Sequence, residues 1–321
     1  MTREITVINK GQELAVGKDN TTALMVEFLA SQDVKESSRQ LYKRTLRPFF
    51  AYLKENQIGL KAVSRADILR YKDGLLASSM SPLTVGSYLT VVRKFFGWAE
   101  ALKYYPNVAK GIKTPTRKQQ YRKQALTADQ GKQLLQYFQE QSLRDYALVN
   151  LMICTGLRCI EVARARVEDI TLKTQEGSAA QRVLLVQGKG RLEKDSFVIL
   201  SEAVYQPIKT YLETRSNSKA KEPLFASTSN TNKGGSLTTR TISKIAKGGL
   251  CAIGLDDRAF TAHSLRHSTA SILIKNGATA EEVKDVLRHA STAITQIYYA
   301  SVAEEVRLGR NTEAKLSALL H

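Results

Sequence analysis

One stretch divides this chain before any helix or strand is considered. Residues 110–123 hold six cations (Lys110, Lys113, Arg117, Lys118, Arg122 and Lys123), one proline and no acid. Such a segment cannot pack on an apolar core and reads as a linker suited to lying along a polyanion. The 321 residues suit two domains at roughly 100–200 residues each.

The overall charge points the same way. Residues 1–124 carry 22 basic and 10 acidic side chains, a net +12, and residues 125–321 carry 26 and 20, a net +6, for +18 in all. That exceeds the roughly 2–8 charges that keep a small domain soluble, so the expected partner is a polyanion, nucleic acid ahead of an anionic membrane. With 43% hydrophobic and 24% charged residues, disordered and collagenous classes are excluded. No apolar run approaches the roughly 18–20 residues that span a bilayer; 147–152 is broken by Asn150. No basic leader followed by an apolar stretch opens the chain, and three cysteines make no disulfide framework. The expected location is cytoplasmic.

Before the linker the apolar spacing is helical. An Asn/Thr start leads into 21–31, with Leu24, Met25, Phe28 and Leu29 on one stripe. The segment 37–56 carries Leu41, Leu46, Phe49, Phe50 and Leu53, leaving Arg39, Lys43, Arg44 and Arg47 on other faces. Ser64 with Asp67 three residues on makes a weak capping box, and Ser81-Pro82 starts a fourth helix through Val85, Leu89, Val92, Phe95, Phe96 and Trp98. Four amphipathic helices define an all-α domain over 21–109, after a tail of 20 residues. Its aromatic stripe is read as core. The cations assigned to a polyanion are Arg39, Lys43, Arg44, Arg47, Arg93, Lys94, Lys113, Arg117, Lys118, Arg122 and Lys123.

The region 125–321 is mixed. Thr127 caps a helix, 143–154 continues helical to Gly156, and two β-rich runs, 182–187 and 196–200, flank Gly188-Lys189-Gly190 as a hairpin. Helices follow at 202–214, 238–253, 265–276, 281–288 and 293–308, with a polar loop at 215–235 and a short terminal helix at 310–321. The fold class is mainly α with a small β-hairpin or sheet. Cys154 is read as core.

Phosphate-loop, His-Glu-x-x-His and Gly-x-Ser-x-Gly motifs are absent. The cysteines lack zinc spacing; His263 and His267 sit i, i+4, with only His289 as a distant third ligand, so no metal and no cofactor is expected. What remains is Arg158 with Glu161, Lys189 at the hairpin tip, His263, Arg266 and His267 in one run, and His289 nine residues before Tyr298. Two arginines, a lysine, histidines and a tyrosine suit phosphodiester cleavage without metal. Guanidinium forks clamp non-bridging oxygens, the tyrosine attacks, and other groups move protons.

These motifs, in this order, resemble the tyrosine recombinases, the phage-integrase and Xer-like family of site-specific DNA recombinases. Thr-Gly-Leu-Arg158-x-x-Glu161 resembles the first arginine box, Gly-Lys189-Gly the catalytic-lysine turn, and His263-x-Leu-Arg266-His267 the second box. Leu-x-His289 followed by Tyr298 matches the nucleophile segment. Arg288 departs from the pattern, standing where the family often has glycine. Tyr299 follows Tyr298 directly; the spacing selects Tyr298, and on a helix Tyr299 projects about 100° away.

The resemblance implies a helical, SAM-like core-binding domain (21–109), a basic linker (110–124) and an α+β catalytic domain (125–321), closing as a C-shaped clamp on double-stranded DNA. It implies that Tyr298 attacks the scissile phosphate to form a 3′-phosphotyrosine without ATP. Arg158 and Arg266 bind the phosphate, Lys189 protonates the leaving 5′ oxygen, His263 takes the tyrosine's proton and His289 bonds the phosphate. Glu161 and His267 support the site. It further implies paired inverted core sites, a homotetramer on synapsed DNA from a monomer or weak oligomer, a Holliday junction, nucleoid association in a bacterium, and integration, excision or resolution of mobile elements or dimers. Two rival readings are a type IB topoisomerase-like enzyme, separable by relaxation of plasmid lacking a target site, and a catalytically silent architectural DNA-binding protein, separable by absence of any covalent complex.

Overall fold

The computed structural model describes residues 21–115, 124–177, 179–188, 191, 193–215, 219–289, 291–310 and 312–320. Only the backbone is described at 294, 301, 304–310, 312, 313, 315 and 316. Lys189, Arg117, Lys118, Arg122 and Lys123 lie outside the described residues. The chain forms two compact units, Met1–Lys118 and Gln119–His321.

The first unit contains α1 (Thr21–Ser31), α2 (Glu36–Glu55), α3 (Arg65–Ala77) and α4 (Pro82–Ala101). The caps explain the boundaries. Ser64 and Asp67 close a reciprocal capping box on α3, and Ser81 accepts from the Thr84 N–H with Pro82 in the first turn of α4. The aromatic stripe is core. Phe28, Phe49, Phe95 and Phe96 are each at most 1% exposed, and Phe28 meets Phe95 edge-on at 5.5 Å. The first part of the basic stretch is tied to the helical core. Ile112 is 2% exposed in this core, and Arg65 and Arg93 donate to the carbonyls of Lys110 and Ile112. A single isoleucine between lysines is enough to seat the segment, because the lysines keep their heads in water.

The second unit comprises α5 (Ala128–Gln141), α6 (Leu143–Thr155), α7 (Cys159–Arg164), β1 (Ile170–Lys173), β2 (Gln181–Val186), β3 (Ser196–Ile199), α8 (Glu202–Glu213), α9 (Thr239–Ala252), α10 (Ala262–Lys275), α11 (Ala280–Leu287), α12 (Thr292–Arg310) and α13 (Thr312–Leu320). The sheet is antiparallel in the order β1-β2-β3, with Ile170 opposite Leu184 and Leu184 opposite Val198. The hairpin is therefore the outer two-thirds of a three-stranded sheet. α6 runs through the main core, with Ala147, Leu148, Val149, Leu151 and Met152 fully covered. A second, smaller core joins α10, α11 and α12 through Ala270, Ile274, Val283, Leu287, Tyr298 and Val302. Tyr298 thus belongs to the packing that holds its own helix. Cys154 is not core: on the last turn of α6 it is exposed, its thiol bonding Asn150 Oδ1 at 3.3 Å.

Candidate active site

The end of α6 places Arg158. Gly156 closes the helix in the left-handed region (φ +63°), where a Cβ would stand 2.5 Å from Leu287 Cδ2, so the position demands glycine. The chain then extends to Arg158, which precedes the first turn of α7. Glu161 in that turn accepts from the Arg158 backbone N–H at 2.8 Å and from Arg158 Nη1 at 2.9 Å. Glu161 is 3% exposed, and its other neighbour is Arg288, whose Nη2 lies 3.2 Å from Oε2. Burial alone would raise the Glu161 pKa. The Arg288 charge, the Arg158 N–H and the Arg158 guanidinium outweigh it and hold the carboxyl below its usual value.

Arg266, on α10, is 1% exposed. Its Nη1 donates to Gly156 O at 2.6 Å and its Nη2 to Leu287 O. One guanidinium therefore bridges the Arg158 turn and the end of α11, and keeps donors to spare. Burial first, then the charges of Arg158 and Arg288, pull its pKa down to about 9, leaving it a cation at neutral pH.

One turn of α10 carries both histidines, with ring centroids 4.9 Å apart and planes at 85°. His263 is exposed. His267 is 2% exposed, and burial, then His289, lowers its pKa to about 3, so it is neutral and packed. Tyr298 lies against it with centroids 4.8 Å apart, and 5.7 Å from His289 on its other neighbour. Tyr298 is 6% exposed. Burial pushes its phenol up to about 12 even though Arg266 and Arg158 favour the phenolate. Tyr299 is 38% exposed.

His289 enters from the turn after α11. Its Nδ1 shares a hydrogen bond of 2.8 Å with Thr295 Oγ1, and burial, then Arg266, Arg158, Arg288 and His263, lower its pKa to about 4. Arg158, Glu161, Arg288 and His289 line a cleft of about 1040 Å³ with Cys154 and Thr155; Gly188 and Arg191, from the connection between β2 and β3, line its other side. Arg266 and Tyr298 do not line the cleft. Arg266 is buried between backbone that does, since Gly156 follows Thr155 and Leu287 precedes Arg288.

The structure therefore brings Arg158, Glu161, His263, Arg266, His267, His289 and Tyr298 into one connected cluster; Lys189 falls outside the described residues. Sequence reasoning missed Gly156 O, Thr295 and the Arg288 side chain. Thr295 could have been noted as a hydroxyl six residues past His289; the reach of Arg288 carries no sequence signal. Among the described residues, no group of three or more His, Cys, Asp or Glu is arranged to hold a metal ion, and no helix is long and apolar enough to cross a membrane.

The cations of the first unit differ in use. Arg44, Arg47 and Lys94 are exposed, and Lys94 lies 5.8 Å from the Tyr42 ring centroid. Arg39 pairs with Glu36 at 3.1 Å and donates to Gln32 O, and Arg93 bonds Ile112 O and Thr90 Oγ1, both at 3.2 Å. Those two therefore also bond within the fold.

A buried arginine thus bonds the turn that bears Arg158, and a tyrosine packs on a buried histidine beside it. The chain belongs to the phage integrase family, whose model matches residues 124–305, while the family's N-terminal SAM-like domain matches residues 26–103. It is a tyrosine-type site-specific DNA recombinase. Among its relatives are tyrosine recombinase XerD of Rickettsia prowazekii (strain Madrid E), 26% identical over 280 residues (84% of this chain, 89% of the relative), and XerD of Staphylococcus epidermidis (strain ATCC 12228 / FDA PCI 1200), 28% identical over 279 (83% and 88%). The fold is shared with XerH site-specific recombinase bound to palindromic difH substrate in a post-cleavage complex (TM-score 0.70, 19% identity, 90% of this chain and 83% of that one). It is shared too with a lambda integrase dimer bound to a COC′ core site (TM-score 0.68, 17% identity, 87% and 77%).

Proposed function

We propose that this recombinase acts on double-stranded DNA by attack of Tyr298 on a backbone phosphorus, exchanging one phosphodiester for a 3′-phosphotyrosine and releasing a 5′-hydroxyl. Arg158 and Arg266 bind the non-bridging oxygens and neutralise the charge that builds on them; losing one such donor costs about a hundred- to thousandfold in rate. His289, neutral and tied through Nδ1 to Thr295, presents its other nitrogen to the phosphate. His263, exposed beside the buried pair, takes the phenolic proton. Lys189 protonates the leaving oxygen, a role suited to a point-charge ammonium. Glu161 orients Arg158, and His267 packs under the nucleophile.

The observation that carries this reading is the cluster itself: Tyr298 packs on His267 of α10, centroids 4.8 Å apart, and beside His289 at 5.7 Å. The same helix α10 carries Arg266, which bonds Gly156 O in the turn that places Arg158. Resealing is the same exchange reversed, so the reaction needs no ATP. Tyr298 is 6% exposed without DNA, so the proposal includes its hydroxyl becoming accessible to the phosphate when DNA enters. Domain assignments of 21–109, 110–124 and 125–321, closure of the two domains on the duplex, and strand exchange through a Holliday junction within a tetramer complete the proposal. So do paired inverted sites and a role in mobile-element integration, excision or resolution. α13, whose Leu319 and Leu320 are 83% and 71% exposed, supplies an apolar surface for a neighbouring protomer in such an assembly. A nicked duplex built on a site that the protein recovers from a random library tests the chemistry. Wild type gives a covalent complex on a denaturing gel and Tyr298→Phe gives none; capture retained by Tyr298→Phe would overturn the assignment.

A further inference from the structure

Residue 288 stands where three parts of the cluster meet. Arg288 closes α11 with φ +54°, a left-handed conformation that glycine adopts freely and other residues seldom do. The turn sets the carbonyl of the preceding residue, Leu287 O, to accept from Arg266 Nη2, and it delivers the next residue, His289. The side chain turns back instead of entering solvent. It is 10% exposed, with Nη1 donating to Val286 O at 2.6 Å and Thr155 O at 3.4 Å, and Nη2 to Glu161 Oε2 at 3.2 Å.

Glu161 is thereby divided. Its Oε1 takes Arg158 Nη1, while its Oε2 is shared by the Arg158 backbone N–H and Arg288. A carboxylate facing one arginine alone tends to draw it into a two-pronged fork. With Arg288 holding the second oxygen, Arg158 is held by one side-chain bond, and its remaining donors stay open for an anion.

We propose that Arg288 is a positioning residue for strand cleavage: its side chain, acting through Glu161, keeps Arg158 in a singly bonded pose that can receive the phosphate. This rests on the reading that Arg158 and Arg266 clamp the scissile phosphate. The ion pair also tethers the turn bearing His289 to the turn bearing Arg158, so the two sides of the clamp move together.

Arg288→Gly separates the side chain from the backbone, because glycine keeps the left-handed turn without strain. The measurement is covalent capture on the nicked library-selected duplex at saturating DNA, alongside affinity for the intact duplex and thermal melting. Arg288→Gly is expected to capture about tenfold or more slowly, as a misplaced clamp does, with affinity within about twofold of wild type and a preserved melting transition. Arg288→Lys, which restores a cation for Glu161, is expected to recover most of that rate. Arg288→Gly capturing at the wild-type rate, Arg288→Lys capturing no faster than Arg288→Gly, or a loss confined to affinity and melting overturns the inference. Should Arg288→Gly not fold, Arg288→Lys must capture several-fold faster than Arg288→Gln, and equal rates overturn it. Failure of wild type to capture at all overturns the underlying reading, and this inference with it. A wild type that captures no faster than Arg288→Gly overturns this inference alone.

Discussion

The ring of Tyr298 lies on that of His267, centroids 4.8 Å apart and planes 26° apart, and both side chains are almost wholly buried. The nucleophile of the proposed reaction is thus held in its rotamer by an imidazole that must stay uncharged to be buried there.

That neutrality makes the fold sensitive to acid. His267 and His289 have folded pKa values near 3 and 4, below an unfolded value near 6.5, so the unfolded chain takes up their protons first as pH falls. The stability from these neutral rings is whole above about pH 6.5 and is lost progressively down to about pH 4 and below, at up to about 1.4 kcal/mol per pH unit for each ring. Urea unfolding at pH 7, 6 and 5 checks this: His267→Gln starts less stable but shows a shallower decline. An unchanged slope would assign the acid sensitivity to other groups.

Arg266→Lys is a severe change despite keeping the charge. A lysine cannot bond Gly156 O and Leu287 O together, so about 3 kcal/mol of stability is lost with the charge-assisted bonds. Cleavage falls by at least about a hundredfold. Denaturant midpoints and single-turnover capture measure the two effects separately.

Gly156→Ala tests the joint between α6 and α11. The left-handed conformation costs an alanine about 1–2 kcal/mol, and the 2.5 Å approach to Leu287 Cδ2 forces that leucine to move, for a total of about 2–3 kcal/mol. Leu287→Ala, placed in the same chain, removes the clash and should restore part of the loss relative to the sum of the two single variants, read by a double-mutant cycle.

Charge on the first unit divides into two uses that separate experimentally. Arg44→Ala and Arg47→Ala weaken binding to any duplex and each lower the salt-dependence slope by about 1, with little change in melting. Arg93→Ala instead lowers thermal stability, because it releases Ile112 O and the segment that Ile112 seats.

Much of this was legible beforehand, and the exceptions have physical causes. Ser64, Ser81-Pro82 and Thr127 marked helix starts because a cap is a local bond between near neighbours. α7, six residues long, and β1, four, passed unseen because neither is long enough to show a period. Cys154 read as core because it follows a run of buried residues, yet the helix ends there and turns it toward the cleft. The separation of Arg39 and Arg93 from Arg44 and Arg47 depends on carbonyls brought close by folding. The site followed the same rule. Arg158, Arg266, His289 and Tyr298 stand beside recognisable neighbours in sequence, whereas Arg288 reaches Glu161 across 127 residues, a contact that no local pattern encodes.

The central claim is chemical, and mass spectrometry reaches it most directly. The covalent complex formed on the nicked duplex is digested with nuclease and protease, and the peptide that keeps a nucleotide is sequenced by fragmentation. The expected result is a 3′-linked nucleotide on Tyr298. A nucleotide on Tyr299, on any serine, or on no residue of this chain would contradict it.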